Sequence, residues 1–156
     1  LAEGEAGRHL DYATTGPAWP PQAPPQLFDD LAAFWMESSL AMHALAVGKG
    51  ALFFHFLQPN QHLPGSKPMT DDEIEVAITG GEPFAPHVAR GYPLLRERGA
   101  ELVARGVRFH DLTLVFEDTH EPIYVDNIGH VGPRGNEIIA DAIAARIRED
   151  LAAAAP

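Results

Sequence analysis

The apolar stretch ALFFHFL at residues 51–57 decides the fold class of this chain. Apolar residues follow one another in it almost without interruption, whereas a strand with one face in water alternates apolar with polar residues. Gly50 and Pro59 flank the stretch, as turn residues flank a strand. We therefore predict a core strand that is covered on both faces, as in a parallel sheet.

Helical and strand patterns alternate around this strand. A helix is predicted from Leu27 to Val47, where apolar residues recur at helical spacing before Gly48. The later candidates are a short helix at 71–77, a long helix at 84–105 that breaks near 91–93, a strand at 107–116, a short strand at 123–125 and a helix at 133–151. This alternation predicts an α/β fold with right-handed crossovers.

The chain divides into three parts by composition. Residues 1–26 are polar and then proline-rich and predict an arm or loop, residues 27–151 hold the folded domain, and residues 152–156 form a tail. Two full strands are few for a parallel sheet and leave an apolar edge open. Together with a start at Leu1 rather than Met, this leads us to expect the C-terminal part of a larger domain.

Composition excludes several classes of function. The chain has a formal net charge of -11 and 46% hydrophobic residues, and none of its apolar runs approaches the ~20 residues of a membrane span. We expect a soluble domain without a membrane span. The acidic balance argues against nucleic acid and anionic membrane surfaces as partners. The absence of cysteine excludes disulfides, thiolate catalysis and cysteine zinc sites, and it leaves the compartment open.

Two loops carry polar side chains that the fold would bring to one edge of the sheet. Ligands of α/β sheets bind beyond the carboxyl ends of the strands, and the loops at 58–62 and 126–132 both follow strand candidates. In the first loop Gln58, Asn60 and His62 are candidate substrate contacts. Turn formation explains the first two of these residues equally well.

Asp126 and His130 in the second loop are the candidate catalytic residues. A histidine that acts as a general base needs its far nitrogen held by an acceptor, which fixes its tautomer and orientation. An aspartate at a strand end, four residues before the histidine, can supply that acceptor. The alternative is that Asp126 caps a turn and His130 lies on the surface near a helix start. His55 fits a core histidine, and because no histidines stand at clear metal-ligand spacing, no metal or cofactor is predicted.

The segment YVDNIGH at residues 124–130, followed by GNEIIA at residues 135–140, resembles the last catalytic block of the SGNH (GDSL-type) hydrolases. The strands predicted at 53–59 and 107–116 also fit the second half of that family's fold. The resemblance implies a three-layer α/β/α, flavodoxin-like parallel sheet, of which this chain holds the C-terminal half. It also implies that His130 is the general base of an ester hydrolase and that Asp126 orients it.

The chain departs from the family in two ways. The commoner spacing puts the aspartate three residues before the histidine, where this chain has Asn127. We expect Asp126 to take the role, because an asparagine there would greatly weaken the base. The family's Gly-Asp-Ser nucleophile block and the Gly and Asn of its oxyanion hole have no counterpart here. Of the three serines, Ser38 and Ser39 fit the polar face of a helix and Ser66 a Pro/Gly loop.

Three functions are consistent with this sequence. The first is a serine ester hydrolase of the esterase, lipase or acetylesterase type, acting on a small-molecule, carbohydrate or lipid ester. Its serine would come from an upstream N-terminal half of the same protein, and this segment alone would be inactive. The second is a non-catalytic SGNH-like domain that binds carbohydrate or protein, which the missing nucleophile favours. The third is an acyltransferase, which shares every residue named.

Overall fold

Helices and strands alternate along the chain as the sequence predicts. The computed structural model describes residues 23–80 and 84–154. In chain order the elements are α1 (Pro24–Gly48), β1 (Phe54–Leu57), α2 (Asp71–Ala77), α3 (Ala85–Ala104), β2 (Arg108–Asp111) and α4 (Pro133–Ala153). Because β1 and β2 are parallel, this order confirms an α/β architecture at the coarse level.

The two strands form a parallel sheet with helices against both faces. Neighbouring residues of a strand point to opposite faces, and the cross-strand pair His55 and Phe109 shares one face. There the Trp35 ring of α1 lies 4.6 Å from the His55 ring and 5.9 Å from the Phe109 ring. On the opposite face, His110 Nε2 lies 2.8 Å from a carboxylate oxygen of Asp150 in α4. The carboxyl ends of both strands meet at one edge, which the loops at 58 and 112 continue.

The strand β1 is shorter and less covered than the sequence predicts. It spans four residues, whereas the apolar stretch spans residues 51–57. Leu57 is buried, but Phe54, His55 and Phe56 are only half-buried. Within the described residues the sheet has two strands, so each strand keeps one edge without a neighbour. The described elements thus bury the apolar side chains of β1 only in part.

Two other strand predictions are wrong in extent or in kind. The strand β2 ends at Asp111, because its carboxylate accepts a hydrogen bond from Thr113 N (2.8 Å), a turn that takes the chain out of the sheet. The segment 123–125 does not join the sheet. Instead, Tyr124 forms an isolated antiparallel bridge with Val131. This segment is therefore one arm of a hairpin.

The predicted break in the second long helix is also wrong, because α3 runs through Pro93. A proline inside a helix removes one backbone hydrogen bond and crowds the preceding turn. Here the neighbouring Tyr92 is buried, and Gly99 lets α3 approach β2 very closely. A Cβ atom at Gly99 would lie 2.2 Å from the Phe109 ring. Packing against the sheet outweighs the local cost of the proline.

The ends of the first and last helices differ from the predicted domain limits. The helix α1 begins at Pro24, before the predicted Leu27, because prolines are tolerated in a first turn, where the N–H has no helical partner. The helix α4 reaches Ala153, so the predicted tail 152–156 begins as helix. Residues 1–22 of the predicted arm lie outside the described residues.

Among the described residues, α1 is the one helix that is long and apolar enough to cross a membrane. This test rests on length and composition alone, and core helices of soluble proteins pass it too. One side of α1 is buried at Ala32, Met36 and Ser39, while Phe34 and Leu45 are about two-thirds exposed. The expectation that the chain has no membrane span therefore stays a prediction.

Candidate active site

Asp126 and His130 lie in the loop of a short hairpin, residues 123–132. Two backbone hydrogen bonds join its arms, from Val125 N to His130 O (3.1 Å) and from Gly132 N to the carbonyl oxygen of residue 123 (2.8 Å). The isolated bridge described above lies between them. The arms thus hold the two candidate catalytic residues at the two ends of one tight loop.

The carboxylate of Asp126 organises this loop. Its Oδ1 accepts hydrogen bonds from the backbone N–H groups of Ile128 (3.0 Å) and His130 (3.1 Å). Its Oδ2 lies 2.5 Å from His130 Nδ1. Gly129 has a φ of 111°, which side-chain-bearing residues rarely adopt, and it returns the histidine to the carboxylate. One side chain therefore binds both the backbone of the loop and the imidazole.

This contact fixes the tautomer of His130. An ionised carboxylate can only accept hydrogen bonds, so Nδ1 carries a proton, and it is Nε2 that holds the lone pair whenever the ring is neutral. The hydrogen bond from the His130 ring is the main cause that lowers the pKa of Asp126; desolvation opposes it, and the backbone N–H groups of Ile128 and His130 lower it further. The side chain of His130 is 68% exposed. A neutral imidazole with an accessible lone pair and a fixed far nitrogen is equipped to accept a proton.

Asn127, the residue at the family's commoner spacing, faces away from this pair. Its side-chain Nδ2 donates to Thr79 O (3.1 Å), and its backbone carbonyl oxygen accepts a hydrogen bond from His62 Nε2 (3.0 Å). The structure therefore places Asp126, and not Asn127, against His130.

A cleft of about 300 Å³ opens beside His130. It is lined by Gln58 and Pro59, which follow β1, and by Asn136 and Ile139 of α4. Of the three predicted substrate contacts, Gln58 thus lies in the same cleft as the candidate base. The cleft stands at the carboxyl end of β1, where ligands of parallel sheets bind.

The other two predicted substrate contacts, Asn60 and His62, are bound into the protein beside this cleft. Asn60 Oδ1 accepts from His62 N (2.9 Å), which is turn chemistry, and its side chain lies next to Gly129. His62 lines a neighbouring cleft and binds the backbone of Asn127. The contacts of these two residues brace the hairpin loop, and contact with a substrate stays a prediction.

A buried ion pair that the sequence did not reveal holds one arm of the hairpin. Lys67 Nζ lies 2.6 Å from Glu73 Oε2, and neither side chain is exposed to solvent. Glu73 Oε1 accepts hydrogen bonds from Ile123 N (2.7 Å) and Tyr124 N (3.0 Å). The arm that leads to Asp126 is thus attached to the first turn of α2 by one carboxylate.

Gln61 is a second residue that sequence reasoning missed. It is buried, and its Nε2 lies 3.3 Å from both Ala77 O and Asp126 O. The sequence did carry one signal near the ion pair, namely Thr70 followed three residues later by Glu73, the spacing of a capping box. That spacing correctly marks the start of α2, where Thr70 caps the N–H of Glu73. It gives no sign of the distant partners of the glutamate.

The first turn of α4 packs against the same hairpin. A Cβ atom at Gly135 would lie 2.5 Å from the Ile123 side chain and 2.7 Å from Val131 Cβ, so only glycine fits there without a shift. Asn136 Nδ2 donates to Val131 O (3.2 Å). The Gly-Asn sequence therefore lets the helix approach the hairpin and then fastens the two together.

None of the three serines lines the cleft beside His130. The assignment of Ser39 to the polar face of a helix is wrong, because Ser39 is fully buried and its Oγ lies 2.6 Å from His55 Nδ1. Burial lowers the pKa of His55, and a neutral imidazole nitrogen suits a hydroxyl donor. Ser38 donates to a carbonyl of its own helix, and Ser66 is 1% exposed. In the described part of the chain, the candidate base and its candidate orienting acid thus have no serine in their cleft.

Among the described residues, no group of three or more histidine or acidic side chains is placed to hold a metal ion. Comparison of the chain with family models, with curated proteins and with solved structures finds no match. The geometry of the Asp126–His130 pair and of its cleft is therefore the feature that points to a function.

Proposed function

We propose that this chain carries the base and its orienting acid of a serine ester hydrolase. The observation that carries the proposal is the 2.5 Å contact between Asp126 Oδ2 and His130 Nδ1, at the mouth of a cleft. In a Ser-His-Asp site the aspartate holds the tautomer of the histidine and stabilises the imidazolium. The serine and the oxyanion donors would come from another segment, which we propose to be the N-terminal half of the same protein.

The proposed reaction proceeds in two steps. His130 Nε2 takes the proton of the serine hydroxyl as the oxygen attacks the ester carbonyl, and the resulting imidazolium returns that proton to the leaving alcohol. Water then attacks the acyl-serine with the same base, which releases the acid and the free serine. Asp126 keeps Nδ1 protonated throughout and offsets the positive charge on the ring.

The finer fold that we propose is the three-layer α/β/α sheet of the SGNH hydrolases. Three observations support it: parallel pairing of β1 and β2, helices against both faces, and a strand-end site. The open edges of the two-stranded sheet offer room for further strands. Gln58 in the cleft would contact the substrate, an ester of a small molecule, a sugar or a lipid.

The test is fluorophosphonate labelling of the intact gene product, because such probes phosphonylate a serine that a neighbouring base activates. The intact protein should be labelled and the isolated 156-residue chain should not. His130→Ala should abolish labelling and ester hydrolysis. His120→Ala, at an exposed histidine outside the cleft, is the matched control and should leave both unchanged. Labelling that persists in His130→Ala would refute the proposal.

The absence of a serine from the cleft favours a second candidate, a non-catalytic domain that binds carbohydrate or protein. In that case the intact gene product would not be labelled at all, and His130→Ala would change binding but no turnover. An acyltransferase would be labelled as the hydrolase is. Product analysis with an added alcohol acceptor separates the two, since a transferase forms the new ester in preference to the free acid.

A further inference from the structure

Glu73 is a fully buried carboxylate with three partners on two sides. One oxygen binds the ammonium of Lys67, and the other accepts two successive backbone N–H groups, those of Ile123 and Tyr124. Lys67 in turn donates to Pro68 O (2.9 Å). A buried ion pair of this kind costs desolvation energy and is weak evidence of a stabilising role by itself. The arrangement therefore calls for another explanation.

The attachment point of Glu73 lies next to the candidate catalytic loop. Ile123 and Tyr124 begin the arm whose next residues lead directly to Asp126. Ile123 O accepts from the opposite arm, and Tyr124 bridges to Val131 there. A shift of this arm would therefore move both ends of the loop that joins Asp126 to His130.

We propose that Glu73 is a positioning residue: its Oε2 pairs with Lys67, and its Oε1 holds the hairpin arm so that Asp126 and His130 stay within hydrogen-bond distance. This inference rests on the proposed function, because the positioning matters only if the pair acts on a substrate. The catalytic loop also touches Gln61 and His62, but those contacts lie at the loop itself. Glu73 instead binds the start of the first hairpin arm, at Ile123 and Tyr124, to α2.

The test separates the acceptor role of Glu73 from its charge. In a Lys67→Met background, Glu73→Gln keeps an oxygen that can accept both N–H groups, whereas Glu73→Leu removes it. Both double variants lack the buried charges. The readouts are the imidazole nitrogen shifts of His130, which report its tautomer, and the carboxyl carbon shift of Asp126 as a function of pH.

The glutamine double variant should keep the Nδ1–H tautomer of His130 and the lowered pKa of Asp126. In the leucine double variant the Nδ1–H population should fall at least about twofold, and the pKa of Asp126 should rise toward its ordinary value. Leu102→Ala is the matched control. This leucine is fully buried in the separate cluster with Met36 and Val107, so its truncation should destabilise the fold and leave both readouts unchanged.

Either of two results overturns the inference: unchanged readouts in the leucine double variant, or an equal change in Leu102→Ala. If the leucine double variant does not fold, Glu73→Asp takes its place. That carboxylate is one methylene shorter, so it should pull the arm and lower the Nδ1–H population, and an unchanged tautomer would overturn the inference. These readouts need no substrate. They can fail while labelling of the intact protein succeeds, which distinguishes this inference from the proposed function.

Discussion

Replacing the members of the buried ion pair should give an unequal pattern of stability losses. Glu73→Gln leaves the ammonium of Lys67 buried with a neutral partner, and removing one partner of a buried pair costs about 3–5 kcal/mol. Lys67→Met leaves a carboxylate in the first turn of α2 that still accepts from the backbone N–H groups of Ile123 and Tyr124 in the hairpin. Those donors and the helix dipole offset part of the loss, so we expect about 1–3 kcal/mol.

The double variant Lys67→Met/Glu73→Gln should be nearly as stable as the unmodified chain, within about 1 kcal/mol. It removes both buried charges and retains an oxygen for the two N–H groups. The loss of unfolding free energy should therefore be largest in Glu73→Gln, smaller in Lys67→Met and smallest in the double variant. A loss of 3–5 kcal/mol is a large part of the 5–15 kcal/mol that stabilises a typical domain.

Urea denaturation, followed by circular dichroism, measures these free energies of unfolding. The slope of the unfolding free energy with urea should stay constant across the set, which shows that compactness is unchanged. The coupling between the two sites then follows from the double-mutant cycle. A double variant that loses as much as the two single variants together would refute the reasoning, and so would a Glu73→Gln loss below about 1 kcal/mol.

Four further predictions concern the loop, the helix behind it and the core. Asp126→Asn keeps an oxygen for the backbone N–H groups but presents an amide donor to His130, so kcat of the intact protein should fall by a factor of about 10²–10⁴. The folded-state pKa of Asp126 is lowered, so the contact with His130 stabilises the fold above the ordinary aspartate pKa. This stabilisation is lost as the pH falls through the folded-state pKa. The urea midpoint should therefore fall over that pH range, and it should fall less in Asp126→Asn. Gly135→Ala should force the hairpin from α4 and cost about 1–3 kcal/mol in the same denaturation assay, with lower activity. Ser39→Ala should cost about 1–3 kcal/mol by leaving a cavity and an unbonded ring nitrogen on the half-buried His55. The control Ser38→Ala, at a partly exposed helical position, should cost under about 0.5 kcal/mol.

The sequence predicts the elements of this fold better than their extents. Helical periodicity and the apolar stretch at 51–57 locate α1 and β1, because those patterns depend on local chemistry. The course of α3 through Pro93 could not be foreseen, because it depends on the tertiary packing of Gly99 against Phe109 of β2, which no local pattern shows. The segment 123–125 has strand composition, but it pairs only within its own hairpin.

The candidate site divides in the same way. Local spacing and positions after predicted strands are enough to name Asp126, His130 and Gln58. The structure places Gln58 and His130 in one cleft and Asp126 in contact with His130. Glu73 could not be named, since its partners Ile123 and Tyr124 lie 50 and 51 residues away along the chain. Long-range hydrogen bonds to backbone leave no periodic trace in the sequence.

The tautomer of His130 tests the central claim most directly, since a base held by Asp126 must carry its proton on Nδ1. A long-range proton–nitrogen spectrum of the chain labelled with ¹⁵N-histidine, assigned by comparison with His130→Ala, reports which nitrogen is protonated. The predicted result is a neutral ring with Nδ1 protonated and Nε2 free, changing to the opposite tautomer in Asp126→Asn. A neutral ring that carries its proton on Nε2 in the unmodified chain would contradict the account.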